Sequence, residues 1–403
     1  MMTRTSRTDL ENRSRPLLGA LLAALLVGPF AVGGDLAFRH HFVDSNLPGD
    51  SWGQTALVDV DGDKDLDFVT GRSRGVIRWY EFRGADSWVP HTVTDGSPSD
   101  VGAAAFDVDG DGRADIVAGG AWYRNPGDSS AASWPAFSFD KDLRGVHDVA
   151  AGDIDGDKRL DVATMSDQND IRWYKIAADP KGSWKKVTVG PPIHAGLCLG
   201  DLDGDGDLDV VRSITWFENL EHGERWVERK LTDIAWSPGG SYHQSARSQV
   251  ADINKDGRRD VVLTEAEIKG GRIAWFEAPA EARSGPWKAH FLPHSDAEPR
   301  GPYHSLAVAD FDGDGDLDIF SGEMEHLGQR PDRWFIWENE SGDGSTFKER
   351  VILNAGLGTH EAVAGDVDGD GDLDLVGKLW KPVPENSNGG RNHVDFLENL
   401  LKK

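Results

Sequence analysis

Apolar and polar positions alternate along this chain in short runs, and the same four runs return in the same order. A strand of small residues comes first, as in Val149-Ala150-Ala151-Gly152 or Leu306-Ala307-Val308-Ala309. A short apolar strand follows: Leu66-Asp67-Phe68-Val69, Leu208-Asp209-Val210-Val211, Leu373-Asp374-Leu375-Val376. The third carries an aromatic pair, as in Ile77-Arg78-Trp79-Tyr80, Ile171-Arg172-Trp173-Tyr174 and Ile273-Ala274-Trp275-Phe276. The fourth begins on Trp or Phe and ends on an aliphatic: Trp88–Val93, Phe137–Leu143, Trp184–Val189, Trp226–Leu231, Trp287–Leu292 and Phe347–Ile352. Period-two runs separated by turn residues predict an all-β chain.

Counting the fourth strand sets the architecture. Six copies follow the first three runs in order, while a seventh, Phe38-Arg39-His40-His41-Phe42-Val43, stands ahead of all of them. The chain closes on a run of the third type, Val394-Asp395-Phe396-Leu397. A seven-bladed β-propeller of four-stranded blades, its N-terminal strand completing the last blade, accounts for both ends. Closure of the ring leaves only short, protected edges. An open solenoid needs polar caps, and none is visible. Trp79, Trp122, Trp173, Trp216, Trp275 and Trp337 recur in third strands and read as inter-blade core. Trp52, Trp236 and Trp380 fall outside that pattern and are expected near the rim, where they could stack on a sugar.

Between first and second strands lies an acidic nonapeptide, Asp-Xaa-Asp-Gly-Asp-Xaa-Xaa-Xaa-Asp, whose starts are 46 to 58 residues apart. Its seven copies place oxygen donors at Asp59, Asp61, Asp63 and Asp67; Asp107, Asp109, Asp111 and Asp115; Asp153, Asp155, Asp157 and Asp161; and Asp201, Asp203, Asp205 and Asp209. The remaining copies are Asp252, Asn254, Asp256 and Asp260; Asp310, Asp312, Asp314 and Asp318; and Asp366, Asp368, Asp370 and Asp374. Carboxylates at alternate positions turn inward around a tight glycine bend, and an oxygen-only, flexible cage suits Ca2+ better than Mg2+. An EF-hand is excluded, because strands flank the loop and no Glu stands at position 12. Seven acidic turns without a metal would leave four carboxylates repelling one another within nine residues. The fifth copy has Asn254 at the third position and Lys255 in place of glycine, which weakens that cage.

Ahead of the repeats, Arg4, Arg7, Arg13 and Arg15 precede an apolar run from Leu17 to about Val32. This is the pattern of a secretory signal, assigned to residues 1–34, with residues 35–403 forming the propeller. An uncleaved anchor is the alternative. A secreted or periplasmic location follows, without membrane insertion of the mature chain. One cysteine, Cys198, permits no intrachain disulfide, so calcium would do the stapling, and the thiol reads as a small core residue. A net charge of −26, from 43 Lys and Arg against 69 Asp and Glu, argues against nucleic-acid and anionic-membrane partners.

The acidic loop repeated between first and second strands resembles the FG-GAP/VCBS repeat proteins, whose propellers include the calcium-loop blades of integrin α subunits. The resemblance covers roughly residues 38–400. The literal Phe-Gly and Gly-Ala-Pro cage is absent, so integrin-like ligand binding does not transfer. Relatives of this kind range from adhesion modules and lectins to polysaccharide lyases and keto-sugar dehydratases, so fold does not choose among them.

The residues that break the repeat lie on the opposite face, where the first strand begins. Five consecutive blades place a histidine there: His147, His194, His243, His304 and His360. Residues just after the second strand join them: Asp167 and Asn169, Glu265 and Glu267, Glu323, Glu325 and His326, then Lys378, Trp380 and Lys381. His147, His194, His243, His304, His360 and Glu323 are candidate ligands for an axial Zn2+ or Mn2+. Hydrogen bonds to neighbouring backbone are the structural alternative for each imidazole. His40, His41, His91, His290 and His294 fall near outer strands and are expected at the surface.

Two function classes remain. One is a metal-assisted carbohydrate lyase or dehydratase, in which the metal acidifies a proton beside a carbonyl and a His or Lys takes it. His304, His360, Glu325, His326, Tyr303 and Lys381 are its candidate catalytic residues. Tyr303-His304-Ser305, Glu323-Met324-Glu325-His326 and His360-Glu361 are similar to the axial site of aldos-2-ulose dehydratase, although the cupin-type domains of that enzyme are missing. The other class is a non-catalytic glycan- or protein-binding adhesion module with structural histidines. Carbohydrate or glycoconjugate is the expected ligand in the first case and a candidate in the second.

Overall fold

In the computed structural model, residues 35–128, 131–238, 242–295, 300–324, 331–384 and 386–402 are described. The expected signal segment, 1–34, and the candidates Glu325 and His326 lie outside them. Among the described residues, twenty-eight strands form seven antiparallel four-stranded sheets. Blades 1 to 6 each take four strands consecutive in sequence. Blade 7 takes Glu361–Gly365, Asp374–Lys378 and Val394–Asn399, and is completed by the N-terminal strand Phe38–Asp44. Phe38 pairs with Asn399 and His41 with Phe396, so one end of the chain clasps the other as the strand count required.

Small residues in the first strands are dictated by crowding at the axis. A Cβ on Gly102 would come within 2.8 Å of the Asp148 backbone in the next blade, and one on Gly53 within 2.6 Å of the Asp100 carbonyl. The apolar core lies between blades, in seven clusters. Trp216 of blade 4, for example, packs with Val261 and Phe276 of blade 5, and Trp173 of blade 3 with Val210 and Phe217 of blade 4. All six third-strand tryptophans are buried.

Trp52 and Trp236 are not rim platforms. Both are buried, donating their indole N–H to the Pro48 and Thr264 carbonyls respectively. Two outer-strand histidines are also less exposed than the sequence suggests. His91 stacks on Trp79 and bonds Glu81, and His290 stacks on Trp275 and bonds Glu277. Each is a bolt on the third strand rather than a free surface group. His41 is likewise buried, between Asp86 and Glu398.

Candidate functional site

On one face, each acidic loop is built by its own backbone. In all seven the first Asp accepts from the amide five residues on, and in four also from the amide three residues on, as Asp59 does from Lys64 at 3.1 Å and Gly62 at 2.7 Å. The fourth position needs a left-handed backbone, supplied by Gly62, Gly110, Gly156, Gly204, Gly313 and Gly369. In the fifth loop Lys255 adopts that conformation with φ of 58°.

The ninth-position Asp is a staple as well as a donor. In every loop it accepts from the amide of position 2, as Asp209 does from Leu202 at 2.9 Å. In six it also accepts an amide at the end of the third strand, as from Asn219 at 2.8 Å. Burial pushes these carboxyls upward against the pull of those amides: Asp115 and Asp260 to about 6, Asp67, Asp161 and Asp374 to about 7, Asp209 and Asp318 to about 8.

A cation fits here. Oxygens of positions 1, 3 and 9 lie within 4.8 Å of one another in the triads Asp59, Asp61, Asp67; Asp107, Asp109, Asp115; Asp153, Asp155, Asp161; Asp201, Asp203, Asp209; and Asp310, Asp312, Asp318. Buried oxygens of Asp109, Asp153, Asp155 and Asp366 lack a hydrogen-bond partner. Basic side chains offset part of the charge: Arg124 reaches Asp109 and Asp111 at 2.5 Å, and Lys175 reaches Asp155 and Asp157. A hard cation bound by these oxygens would supply the rest of the neutralisation and fix each bend.

The opposite face holds the imidazoles. His147, His194, His304 and His360 converge there: ring centroids are 4.3 Å apart for His147–His194, 5.4 Å for His147–His304 and 4.0 Å for the stacked pair His304–His360. His243 is not among them. It is exposed, and its neighbour Tyr242 lies against His194 instead, at 4.1 Å.

The carboxylate beside the rings is Glu267. Its Oε1 lies 3.2 Å from His304 Nε2 and 3.7 Å from His194 Nε2. Glu323 turns away, accepting from the Gly301 and Arg333 amides, and so anchors loops. Tyr303 packs in the core against Phe335 and Trp337, and burial raises its phenol above the ordinary range. Lys381 is exposed at the cavity mouth. The cavity measures about 260 Å3, and His147, His194, Glu267, His360, Tyr242 and Trp380 contribute to its wall.

Electrostatics divides the rings. Burial lowers His147 and His360, with Asp148 partly opposing it for the first. Burial would lower His194 too, but Asp167 and Glu267 outweigh it and hold that ring at about 9. Glu267 is held below the usual carboxylate range, because the facing His194 and His304 rings outweigh its burial.

Beneath the rings an ion-pair network closes the axis. Arg247 of blade 5 reaches Asp148 of blade 3 at 2.8 Å and Glu361 of blade 7 at 2.6 Å. Asp148 also accepts the Gly196 and Leu197 amides of blade 4, and Glu361 the Thr55 hydroxyl of blade 1. Sequence reasoning missed this plug. The available signal was a charged residue within a first strand otherwise made of small ones, as in Ala246-Arg247-Ser248.

Seven acidic-loop blades around a plugged, histidine-lined axis define the class. An FG-GAP-like repeat model matches residues 59–118, 155–211, 252–321 and 310–377, so the chain belongs to the FG-GAP-like repeat family. It is similar to cartilage acidic protein 1 of Xenopus tropicalis, 26% identical over 397 residues that cover 83% of this chain and 58% of that protein. The Mus musculus protein of the same name is 24% identical over 419 residues, covering 89% and 62%. This chain thus spans about three fifths of the length of those relatives. Among solved structures, a chain from the crystal structure of BBS1N in complex with ARL6DN, soaked with mercury, shares the fold: TM-score 0.51, 9% identity, 89% of this chain and 97% of that one. Among the described residues no helix is long and apolar enough to cross a membrane.

Proposed function

We propose that this chain is an exported, calcium-stiffened recognition propeller that binds a sugar unit of a glycoconjugate on its axial face without transforming it. The observation that carries this reading is the axial cavity, where Trp380 and Tyr242 offer aromatic faces beside Glu267 and Lys381. Aromatic surface edged by a few polar groups is how proteins hold small amphipathic ligands. Its volume, about 260 Å3, sits just below the range of about 300–1,000 Å3 usual for ligand sites, which suits one sugar unit rather than a polymer. Kinship with proteins named cartilage acidic protein 1 fits an extracellular setting, as does the Arg-then-apolar pattern of residues 1–34.

A metal-assisted lyase or dehydratase is the second reading, and the His/Glu cluster is what favours it. Against it, two of the side chains that a proton-transfer step could use are already engaged. His194 is held between Asp167 and Glu267, and Tyr303 is in the core. Equilibrium binding of a glycan panel to the calcium-saturated full chain, with product analysis of the same mixtures, separates the two. Saturable binding with unchanged sugar, weakened at least tenfold by Trp380→Ala, is expected. Formation of unsaturated or dehydrated product would replace this reading with the enzyme, and absence of any binding would end it.

A further inference from the structure

We infer that His147, His194, His304 and Glu267 form a binding site for one divalent first-row transition ion of the Zn2+ type. The first observation concerns which nitrogen each ring has free. His147 Nδ1 donates to Asp148 at 3.0 Å, His194 Nδ1 to Asp167 at 2.7 Å, and His304 Nδ1 to the His360 carbonyl at 2.7 Å. Carboxylates and carbonyls only accept, so each outer contact places a proton on Nδ1 and leaves Nε2 as the nitrogen that can face a cation; the second proton that His194 holds without an ion would leave from Nε2 as the ion binds. Metal-ligating imidazoles are held in this way by their outer partners.

The second observation is spacing. Ligands about 2.0–2.1 Å from a tetrahedral ion lie about 3.4 Å from one another. Glu267 Oε1 is 3.2 Å and 3.7 Å from the two Nε2 atoms it faces, which brackets that edge. A direct His–Glu hydrogen bond is the competing account, and His304 argues against it. That residue is wholly buried, and its Nε2 has no hydrogen-bond partner although the carboxylate is within ion-pair reach. An imidazole nitrogen and a carboxylate oxygen facing each other in a buried place repel unless a proton or a metal ion lies between them, and the hydrogen bond that a proton would make is not formed here.

Imidazole donors select the metal. Three nitrogens and one oxygen suit Zn2+ or its neighbours, whereas the all-oxygen loops on the other face suit Ca2+. His147, His194 and Glu267 border the cavity, which provides an entry path. The site stands independently of whether a sugar docks beside it.

The test is elemental analysis of the full chain, saturated with Ca2+ and then dialysed against Zn2+, with Co2+ as a visible probe of coordination. One Zn2+ per chain beyond calcium and a Co2+ spectrum of low-coordinate type are expected. Glu267→Gln and His194→Ala should each weaken Zn2+ at least tenfold, while His243→Ala should bind as the unaltered chain does. Calcium-dependent melting of each variant establishes folding, and the near-isosteric Glu267→Gln carries the test if His194→Ala does not fold. Absence of stoichiometric Zn2+, or unchanged affinity in a folded Glu267→Gln chain, overturns the inference.

Discussion

Asn219 joins three parts of the ring from a fully buried position. Its side-chain amide donates to the Ile154 carbonyl of the preceding blade at 2.8 Å and to Leu208 at 3.1 Å, and its carbonyl accepts the Gly223 amide. Asn125 and Asn399 repeat the arrangement toward Val60 and Phe311. Replacement by alanine leaves buried backbone groups without partners, at about 1–3 kcal/mol each before relaxation. Asn219→Ala is therefore expected to cost about 2–3 kcal/mol in denaturant titrations at fixed Ca2+, and a change below about 0.5 kcal/mol would show that water takes over the contacts. From the sequence, an asparagine after an aromatic strand reads only as a turn residue. The same blindness applies to the rim glutamates. Glu265 is clamped by Arg272 and the Ser237 amide, and Glu323 by Arg333, whereas Glu267, two residues from the first, aims at the axis. Residue type and spacing do not separate these; only the direction of the chain after the second strand does.

At the scale of elements the sequence was far more legible. Period-two alternation and acidic turns mark strands directly, because both follow from local geometry. The rim was less so: Trp52 and Trp236 sit outside the repeat yet pack inward, since their placement depends on how the loops fold back. The acidic loop is the element whose chemistry can be tested alone. Asp312 is buried in the blade 6 loop, within reach of Asp310 and Asp318, and burial together with Asp314 raises its carboxyl to about 6. Asn in its place keeps an acceptor for the Asp314 amide, 3.1 Å away, but removes the charge. In excess Ca2+, Asp312→Asn is expected to lose about 1–3 kcal/mol, because the cation no longer favours the folded state as strongly. In chelator the same change is expected to be neutral or stabilising, because a buried charge has gone. Equal melting shifts in both buffers would mean that this loop holds no cation.

Across the whole molecule, two charge systems tie the blades together, and they respond to different perturbations. Arg247 spans the axis, so Arg247→Met would deprive buried Asp148 and half-buried Glu361 of their shared guanidinium and leave them mainly their hydrogen bonds, at about 3 kcal/mol. Adding Asp148→Asn and Glu361→Gln should recover much of that loss, which a simple packing role would not allow. The acidic loops respond to pH instead. Without calcium, the ninth-position carboxyls titrate at about 6 to 8 in the folded chain, against 3.8 as their ordinary value. The folded state then binds more protons than the unfolded one between those limits, so stability falls as pH rises from about 4 to about 8. A bound calcium ion would hold the same carboxyls ionised and remove that slope. Melting temperatures in chelator should therefore decline steadily from pH 5 to pH 8 while those in millimolar Ca2+ do not, with the widest gap at pH 8. Groups elsewhere titrate alike in both buffers, so the difference between the curves reports the loops. Parallel curves would place the ions, and the stiffness of the ring, somewhere other than these seven turns.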